Sequence, residues 1–275
     1  MKLFCSIVVL LCLGASDDVA AHGDLHEQIE AVSLRIARAP TAELFLKRGE
    51  LRRAHLEFDR ALADYDKAEQ LNPAMAAVLL SRGRALIEAQ RYAPAREALD
   101  RFLEKRPAHS EGYLTRGRAC AALKEFSAAV QDFNRAIDLA PEAGPDHFVE
   151  RAQAQIALGD ADGAINGLEE GIRQLGPLFT LQAQALEIER KQKRFDAALQ
   201  RLDGLLAQSQ RKESWLVQQG AIFEEAGRPE EARRSYQAAL AAIATLPPRL
   251  RVTKATREIE NRARALVKPP SQVPQ

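Results

Sequence analysis

Residues 110–143 read SEGYLTRGRACAALKEFSAAVQDFNRAIDLAPEA, and the chain repeats this stretch at a period of 34 residues. Slid back once and twice, Arg116-Gly117 falls on Arg82-Gly83 and on Arg48-Gly49. Ala129 falls on Ala95 and Ala61, Phe133 on Leu99 and Tyr65, Ala136 on Phe102 and Ala68, and Pro141 on Pro107 and Pro73. Self-similarity at a fixed period of this length predicts stacked supersecondary units rather than a single globular core.

The spacing inside one unit predicts two helices. Tyr113, Gly117 and Cys120 share one face of a first helix, and Ala128, Ala129, Phe133, Ala136 and Ile137 share the facing side of a second. Small residues where the helices cross let the backbones approach, the aromatic fills the gap beyond, and Pro ends the second helix because it cannot continue it. Such a unit cannot bury both its faces alone, so its neighbours must stack on it.

This order of small, aromatic and Pro positions resembles the tetratricopeptide repeat. The resemblance implies an all-α, right-handed α-solenoid of about six helix-turn-helix repeats, at 42–75, 76–109, 110–143, 145–178, 179–212 and 213–246. The later copies are degenerate. The fourth keeps Phe148, Ala152, Ala164 and Leu168 after one extra residue near Gly144, and replaces the usual ending with Gly171 and Gly176-Pro177. The fifth keeps Leu186, Ala198, Leu202 and Leu205; the sixth keeps Leu216, Gly220, Phe223, Gly227, Ala232, Tyr236 and Ala239. Leu25, Ile29, Val32 and Ile36 predict an N-terminal capping helix within 22–41, and Leu250, Ala255, Ile259, Ala263 and Leu266 a polar-backed closing helix within 247–267. The Pro-rich residues 268–275 read as a disordered tail. Repeats four and five, with Gly163, Gly167, Gly171 and Gly176, are expected to be the softest, since Gly costs about 1 kcal/mol per helical position relative to Ala.

Residues 1–21 resemble a secretory signal peptide: Lys2, an apolar run from Leu3 to Leu13, and small residues ending at Val19-Ala20-Ala21. The run is too short for a mature membrane span, which takes about 20 residues; an uncleaved anchor is the alternative. Leu11 stands where a lipoprotein motif at Cys12 would need a small residue, which argues against lipidation. The reading is therefore an exported protein, periplasmic or secreted, without stable membrane insertion after cleavage. Processing after Ala21 removes Cys5 and Cys12 and leaves Cys120, so no intramolecular disulfide is possible and Cys120 reads as a small buried apolar residue. Loss of Lys2, Asp17 and Asp18 takes the formal charge from +1 to +2. Such a balance lacks the basic excess of a nucleic-acid binder. The basic run Arg190 to Arg194 reads as a solvated turn between the helices of repeat five, with an anion patch as the alternative.

No catalytic constellation is present: the five His are scattered, and there is no HExxH, CxxC, nucleophile elbow or phosphate-binding Gly loop. No enzyme activity and no cofactor are expected. A mature terminus at His22 would set a free amine, His22, Asp24 and His26 close together, a possible Cu(II) or Zn(II) ligand set. The plainer reading is a polar leader with Asp24 as an N-cap.

Arg48, Arg82, Arg116 and Arg151 replace the Leu that the repeat pattern carries before its Gly, which predicts a ladder of guanidinium groups. Asp64 and Asp132 lie sixteen residues beyond two of them, so Arg-Asp pairs bridging the two helices are one reading. Arg82 and Arg151 have Ala98 and Gly167 at that offset and are expected to be freer to meet a ligand. The resemblance also implies a concave groove lined by first helices, with Leu46, Leu80, Leu114, Val149, Ala183 and Val217 at one site per repeat and Glu50, Arg84, Arg118, Gln153, Glu187 and Ala221 four residues on. That groove is expected to be an apolar stripe with a basic centre. It lacks the Lys and Asn of the carboxylate-clamp members and suits an amphipathic or anionic protein segment. The expected function is a non-catalytic protein-interaction scaffold of the cell envelope, for instance an assembly factor; a metal-binding or catalytic accessory using the His cluster is the alternative.

Overall fold

A computed structural model describes residues 24–267, and these form two compact units divided between Ala143 and Gly144. All regular structure among the described residues is helical. The first unit holds α1 (24–38), α2 (Ala42–Ala54), α3 (Phe58–Leu71), α4 (Ala76–Glu88), α5 (Tyr92–Lys105), α6 (Ser110–Ala122) and α7 (Phe126–Leu139). The second holds α8 (Pro145–Ala157), α9 (Ala161–Leu175), α10 (Phe179–Lys191), α11 (Phe195–Gln208), α12 (Glu213–Glu225), α13 (Pro229–Thr245), α14 (Pro248–Arg251) and α15 (Lys254–Val267). Residues 1–21 and the tail 268–275 lie outside the described residues.

Within each unit the helices pack as consecutive pairs, α2 with α3, α4 with α5, α6 with α7, α8 with α9, α10 with α11 and α12 with α13. Each pair also touches the next inside its unit, the solenoid arrangement that the period implies. The small position of each second helix, Ala61, Ala95, Ala129, Ala164, Ala198 and Ala232, is sealed from solvent. So is the large position four residues on, occupied by Tyr65, Leu99, Phe133, Leu168, Leu202 and Tyr236. Burying such a side chain contributes about 1.5–3 kcal/mol, which makes these six positions the backbone of the core.

The Gly of the first helix faces that large side chain. A Cβ on Gly117 would stand 2.8 Å from Phe133, and one on Gly83 2.6 Å from Leu99. Where the aromatic moves along the chain, the glycine moves with it. Phe102 is admitted by Gly112 of the next first helix, at 2.6 Å from a built Cβ. In the fourth repeat Phe148 sits on the first helix and Gly171 on the second, 2.7 Å apart by the same measure. Gly171 is therefore a close-packing requirement and not a weak helical position.

The turn between the two helices is the same in all six pairs. Leu56, Gln90, Lys124, Gly159, Lys193 and Gly227 stand at one repeat position, all with φ between 58° and 82°. Each turn is closed by an N–H that reaches back five residues, from Glu57 to Arg52, Arg91 to Leu86, Glu125 to Cys120, Asp160 to Gln155, Arg194 to Glu189 and Arg228 to Phe223, at 2.7–2.9 Å. This is the Schellman closure of a helix C-terminus, which takes a left-handed residue whatever its side chain.

In α1, Ile29 and Val32 are buried while Leu34 is exposed, as an amphipathic cap requires. The closing segment is not one helix. It breaks after α14, and Thr253 restarts it as α15, its Oγ1 accepting the N–H of Thr256 at 3.3 Å. Ile259, Ala263, Leu266 and Val267 then pack on Val217, Tyr236 and Ala239.

Gly171→Ala is expected to destabilise the second unit by about 1–3 kcal/mol through overpacking against Phe148, although helix propensity alone would raise stability by up to about 1 kcal/mol. Gly204→Ala, in α11 with open space around the added methyl, is expected to stabilise by about 1 kcal/mol. Urea unfolding followed by circular dichroism separates the two signs.

Candidate partner-binding groove

Within the first unit the position before the first-helix Gly carries a polar ladder of Arg48, Arg82 and Arg116, whereas the fifth repeat has the buried Ala185 there. Arg48 donates from Nε to Asp64 Oδ2 at 3.0 Å and from Nη2 to Oδ1 at 2.7 Å. Asp64, with its side chain 3% exposed, also accepts from Arg52 at 2.8 Å. Arg116 repeats the fork on Asp132, at 2.8 and 2.7 Å, and reaches back to Asp100 at 2.8 Å. The hydrogen bonds that Arg116 donates to Asp132 raise its pKa further, against the cost of burial. Bidentate charge-assisted pairs of this kind are strong and directional. In the last pair the rung is neutral: Ser235 Oγ donates to Gln219 Oε1 at 2.9 Å, and Gln219 Nε2 donates to Asp203 Oδ1 at 2.8 Å.

Arg82 and Arg151 are not freer than the others. Arg82 donates to Asp66 at 2.6 Å and Glu69 at 2.9 Å on the preceding second helix. Arg151 is buried and donates to the Gly167 carbonyl at 3.0 Å and to Glu170 at 2.7 Å. Gly167 is small because a Cβ there would fall 2.9 Å from that guanidinium. The fifth pair inverts the device. Arg201 of α11 takes Glu189 at 2.7 Å, Glu169 at 2.5 Å and Gln182 at 2.8 Å; burial works against its charge and these carboxylates more than offset it, so its pKa rises.

The expected apolar stripe is only partly covered: Leu80, Leu114 and Val217 are buried, and Leu46, Val149 and Ala183 are half-buried; Ala221, four residues beyond Val217, is buried as well. The basic centre is also corrected, because the cations come with acids. Arg84 is ion-paired with Glu111. Glu50 accepts from Arg53 at 3.0 Å, and Arg53 reaches on to Glu88. In the second unit Gln153 is exposed and Glu187 pairs with Lys191 at 3.4 Å.

What the first unit offers is a cleft of about 480 Å³ lined by Arg53 of α2, Arg84, Ile87 and Glu88 of α4, and Glu111, Thr115 and Arg118 of α6. Its walls alternate in sign around one aliphatic side chain. Arg53, Glu88 and Glu111 lie three or four residues from Glu50, Arg84 and Leu114 on the same helices, so helical spacing could have found them. The second unit has a cleft of about 380 Å³ between α10, α12 and α15, lined by Arg190, Ser214, Val217, Gln218, Ala221, Glu258, Ile259 and Arg262. The basic run at 190–194 is a helix end and turn, with Arg190 donating to Glu225 at 2.8 Å and Arg194 paired with Asp162.

His26 is exposed, 3.6 Å from Glu30; His22 lies outside the described residues. Among the described residues no three His, Cys, Asp or Glu side chains gather as metal ligands. Cys120 is buried, and burial pushes its thiol up to about 11.

Asp64→Ala is expected to cost about 3–5 kcal/mol, because it leaves Arg48 and Arg52 without their shared carboxylate. The triple change Arg48→Met and Arg52→Met with Asp64→Leu, which removes both guanidiniums together with their shared carboxylate, is expected to be near neutral by the same urea assay. With its thiol raised, Cys120 should react with a thiol reagent at pH 8 about a hundredfold more slowly folded than unfolded.

The tetratricopeptide repeat profile matches residues 41–95, 80–146 and 184–247, more than half of the chain. No curated protein sequence matches it. Among solved structures it is similar to a tetratricopeptide repeat protein from Parabacteroides merdae, with a TM-score of 0.56 at 17% identity, covering 92% of this chain and 97% of that one. It is also similar to YrrB, described as a TPR protein with an unusual peptide-binding site, with a TM-score of 0.52 at 14% identity over 73% of this chain and 97% of that one. A third likeness, at 0.52 and 18% identity, is to MamA from residue 41 onward of Desulfovibrio magneticus RS-1, over 60% of this chain and 93% of that one. These likenesses speak for the fold, and the repeat profile for the family. The chain belongs to the tetratricopeptide repeat family.

Proposed function

We propose that this protein is a non-catalytic interaction scaffold that holds an extended segment of a partner protein along the first helices of its first unit. The observation that carries this reading is the cleft lined from three successive first helices, α2, α4 and α6. An extended peptide crossing them would meet Arg53 with Glu88, then Arg84 with Glu111, beside Ile87. The matching partner carries charges of both signs around an aliphatic side chain, rather than a uniformly anionic tail. Preformed ion pairs suit this task, since a charged ligand exchanges partners within a fixed array and the array selects against wrong charge orders.

The cellular setting belongs to the same proposal. The leader-like residues 1–21 direct the chain out of the cytoplasm, and the scaffold serves assembly of an envelope complex. Nothing in this role calls for a cofactor.

The test reverses charge order without removing a pair. Arg84→Glu with Glu111→Arg keeps the ion pair and inverts the cleft; Arg96→Glu with Glu125→Arg does the same for an exposed pair outside it. Partners captured from envelope extract and identified by mass spectrometry should bind the first variant about tenfold more weakly, roughly 1.4 kcal/mol, and the second as well as the parent. Equal capture by all three proteins would remove the cleft from consideration.

A further inference from the structure

The segment that closes the second unit carries a charge the rest of the chain lacks. Residues 247–275 hold seven Lys and Arg against two Glu, a net +5 in a chain of net +1, so residues 1–246 are net −4. The six described cations, Arg249 and Arg251 in α14 and Lys254, Arg257, Arg262 and Arg264 in α15, are all exposed. Through the repeats, arginines such as Arg48, Arg82 and Arg116 are held by carboxylates at 2.6–3.2 Å. Here the pattern breaks. Arg251 spends its Nε on the Leu246 carbonyl at 2.8 Å, Lys254 approaches Glu258 only to 4.0 Å, and Arg264 holds Glu260 at 2.6 Å. Arg249, Arg257 and Arg262 have no carboxylate within ion-pair distance among the described residues.

The geometry gathers these groups. The inner face of α15, with Ala263 and its apolar neighbours, is committed to Val217, Tyr236 and Ala239, so the outer face is the one left to act. On it Arg257 and Arg264, seven residues apart, stand in line two turns from one another. At the break between α14 and α15, Val252 is 59% exposed, with Arg249, Arg251 and Lys254 around it in sequence. Leu34 and Leu56 are as exposed elsewhere; what sets Val252 apart is the strongly net-positive segment in which it stands.

We infer that this face docks on an anionic phospholipid surface, with guanidinium forks on headgroup phosphates and Val252 entering the interfacial layer. Arginine matches phosphate bidentately, and clustered cations near an anionic leaflet add to one another. A nucleic acid fits less well: residues 247–275 contain no aromatic side chain on which a base could stack, and Val252 has no role against a phosphate backbone. Attachment is peripheral, since no described helix is long and apolar enough to cross a membrane. This inference stands independently of the cleft in the first unit.

Co-sedimentation of the full chain tests it, with vesicles of phosphatidylcholine alone and of phosphatidylcholine with phosphatidylglycerol. The parent should bind only the anionic vesicles, and less at high salt. Each lost cation is expected to weaken binding about fivefold, so the triple change Arg249→Glu, Arg251→Glu and Arg257→Glu should weaken it by at least about a hundredfold with circular dichroism unchanged. Arg35→Glu, Arg38→Glu and Arg135→Glu together alter net charge equally at exposed sites elsewhere and should leave most of the binding. Val252→Asp should weaken vesicle binding. The inference is overturned if the parent ignores anionic vesicles, if both triple variants lose binding alike, or if a single-stranded oligonucleotide binds tighter than vesicles and is indifferent to Val252→Asp.

Discussion

The crossing of the two helices within each repeat governs the rest of the molecule. Backbones approach where Gly117 meets Phe133 or Gly83 meets Leu99, and a single added methyl would collide with the side chain opposite. Protein interiors are close-packed and cannot absorb such a collision cheaply. Because that crossing is held at sixteen residues' separation, the residue before the Gly is brought against the residue before the aromatic, and Arg48 meets Asp64 as Arg116 meets Asp132. The ion pair therefore follows from the steric constraint. It adds specificity of register: a buried guanidinium without its carboxylate is far costlier than an apolar pair, so one alignment of the helices is selected.

The same logic explains where a one-residue comparison of offsets misleads. Ala98 and Gly167 in place of an Asp left Arg82 and Arg151 looking unpartnered. Stacking supplies Arg82 and Arg116 with a neighbour sixteen residues before them, and Asp66 takes Arg82 as Asp100 takes a second edge of Arg116. For Arg151 the answer is the Gly itself, whose bare carbonyl accepts while Glu170 covers the charge. Glycines that propensity marks as soft, Gly167 and Gly171, are positions where a larger group has moved to the partner helix.

Stacking also remakes the groove. Leu80 and Leu114 sit where an inward apolar stripe was expected, and the neighbouring pairs bury them. What remains at the surface is the row of long charged side chains, and in the first unit they pair across successive first helices, Arg84 with Glu111 and Arg53 with Glu88. Such a surface is polar without being strongly of one sign. The closing helix α15 differs, because Arg257 and Arg262 on it meet no carboxylate within ion-pair distance among the described residues.

The 34-residue period, the pairing of small with large positions and the capping segments were legible in the sequence, because they rest on helical spacing and side-chain volume alone. Two of the six left-handed turns were announced by Gly159 and Gly227; at Leu56, Gln90, Lys124 and Lys193 no residue type betrays them, since the five-residue backbone closure imposes the conformation. The break that separates α14 from α15 was hidden for a related reason, a Thr serving as a cap inside an otherwise helical pattern. Which leucines are covered, which acid each arginine meets and which cations are left over depended on groups brought together by stacking one repeat on another. The sequence by itself determined the repeat and its internal packing; the tertiary structure decided the charge pattern of its surfaces, because long charged side chains reach across repeats while the period describes only one.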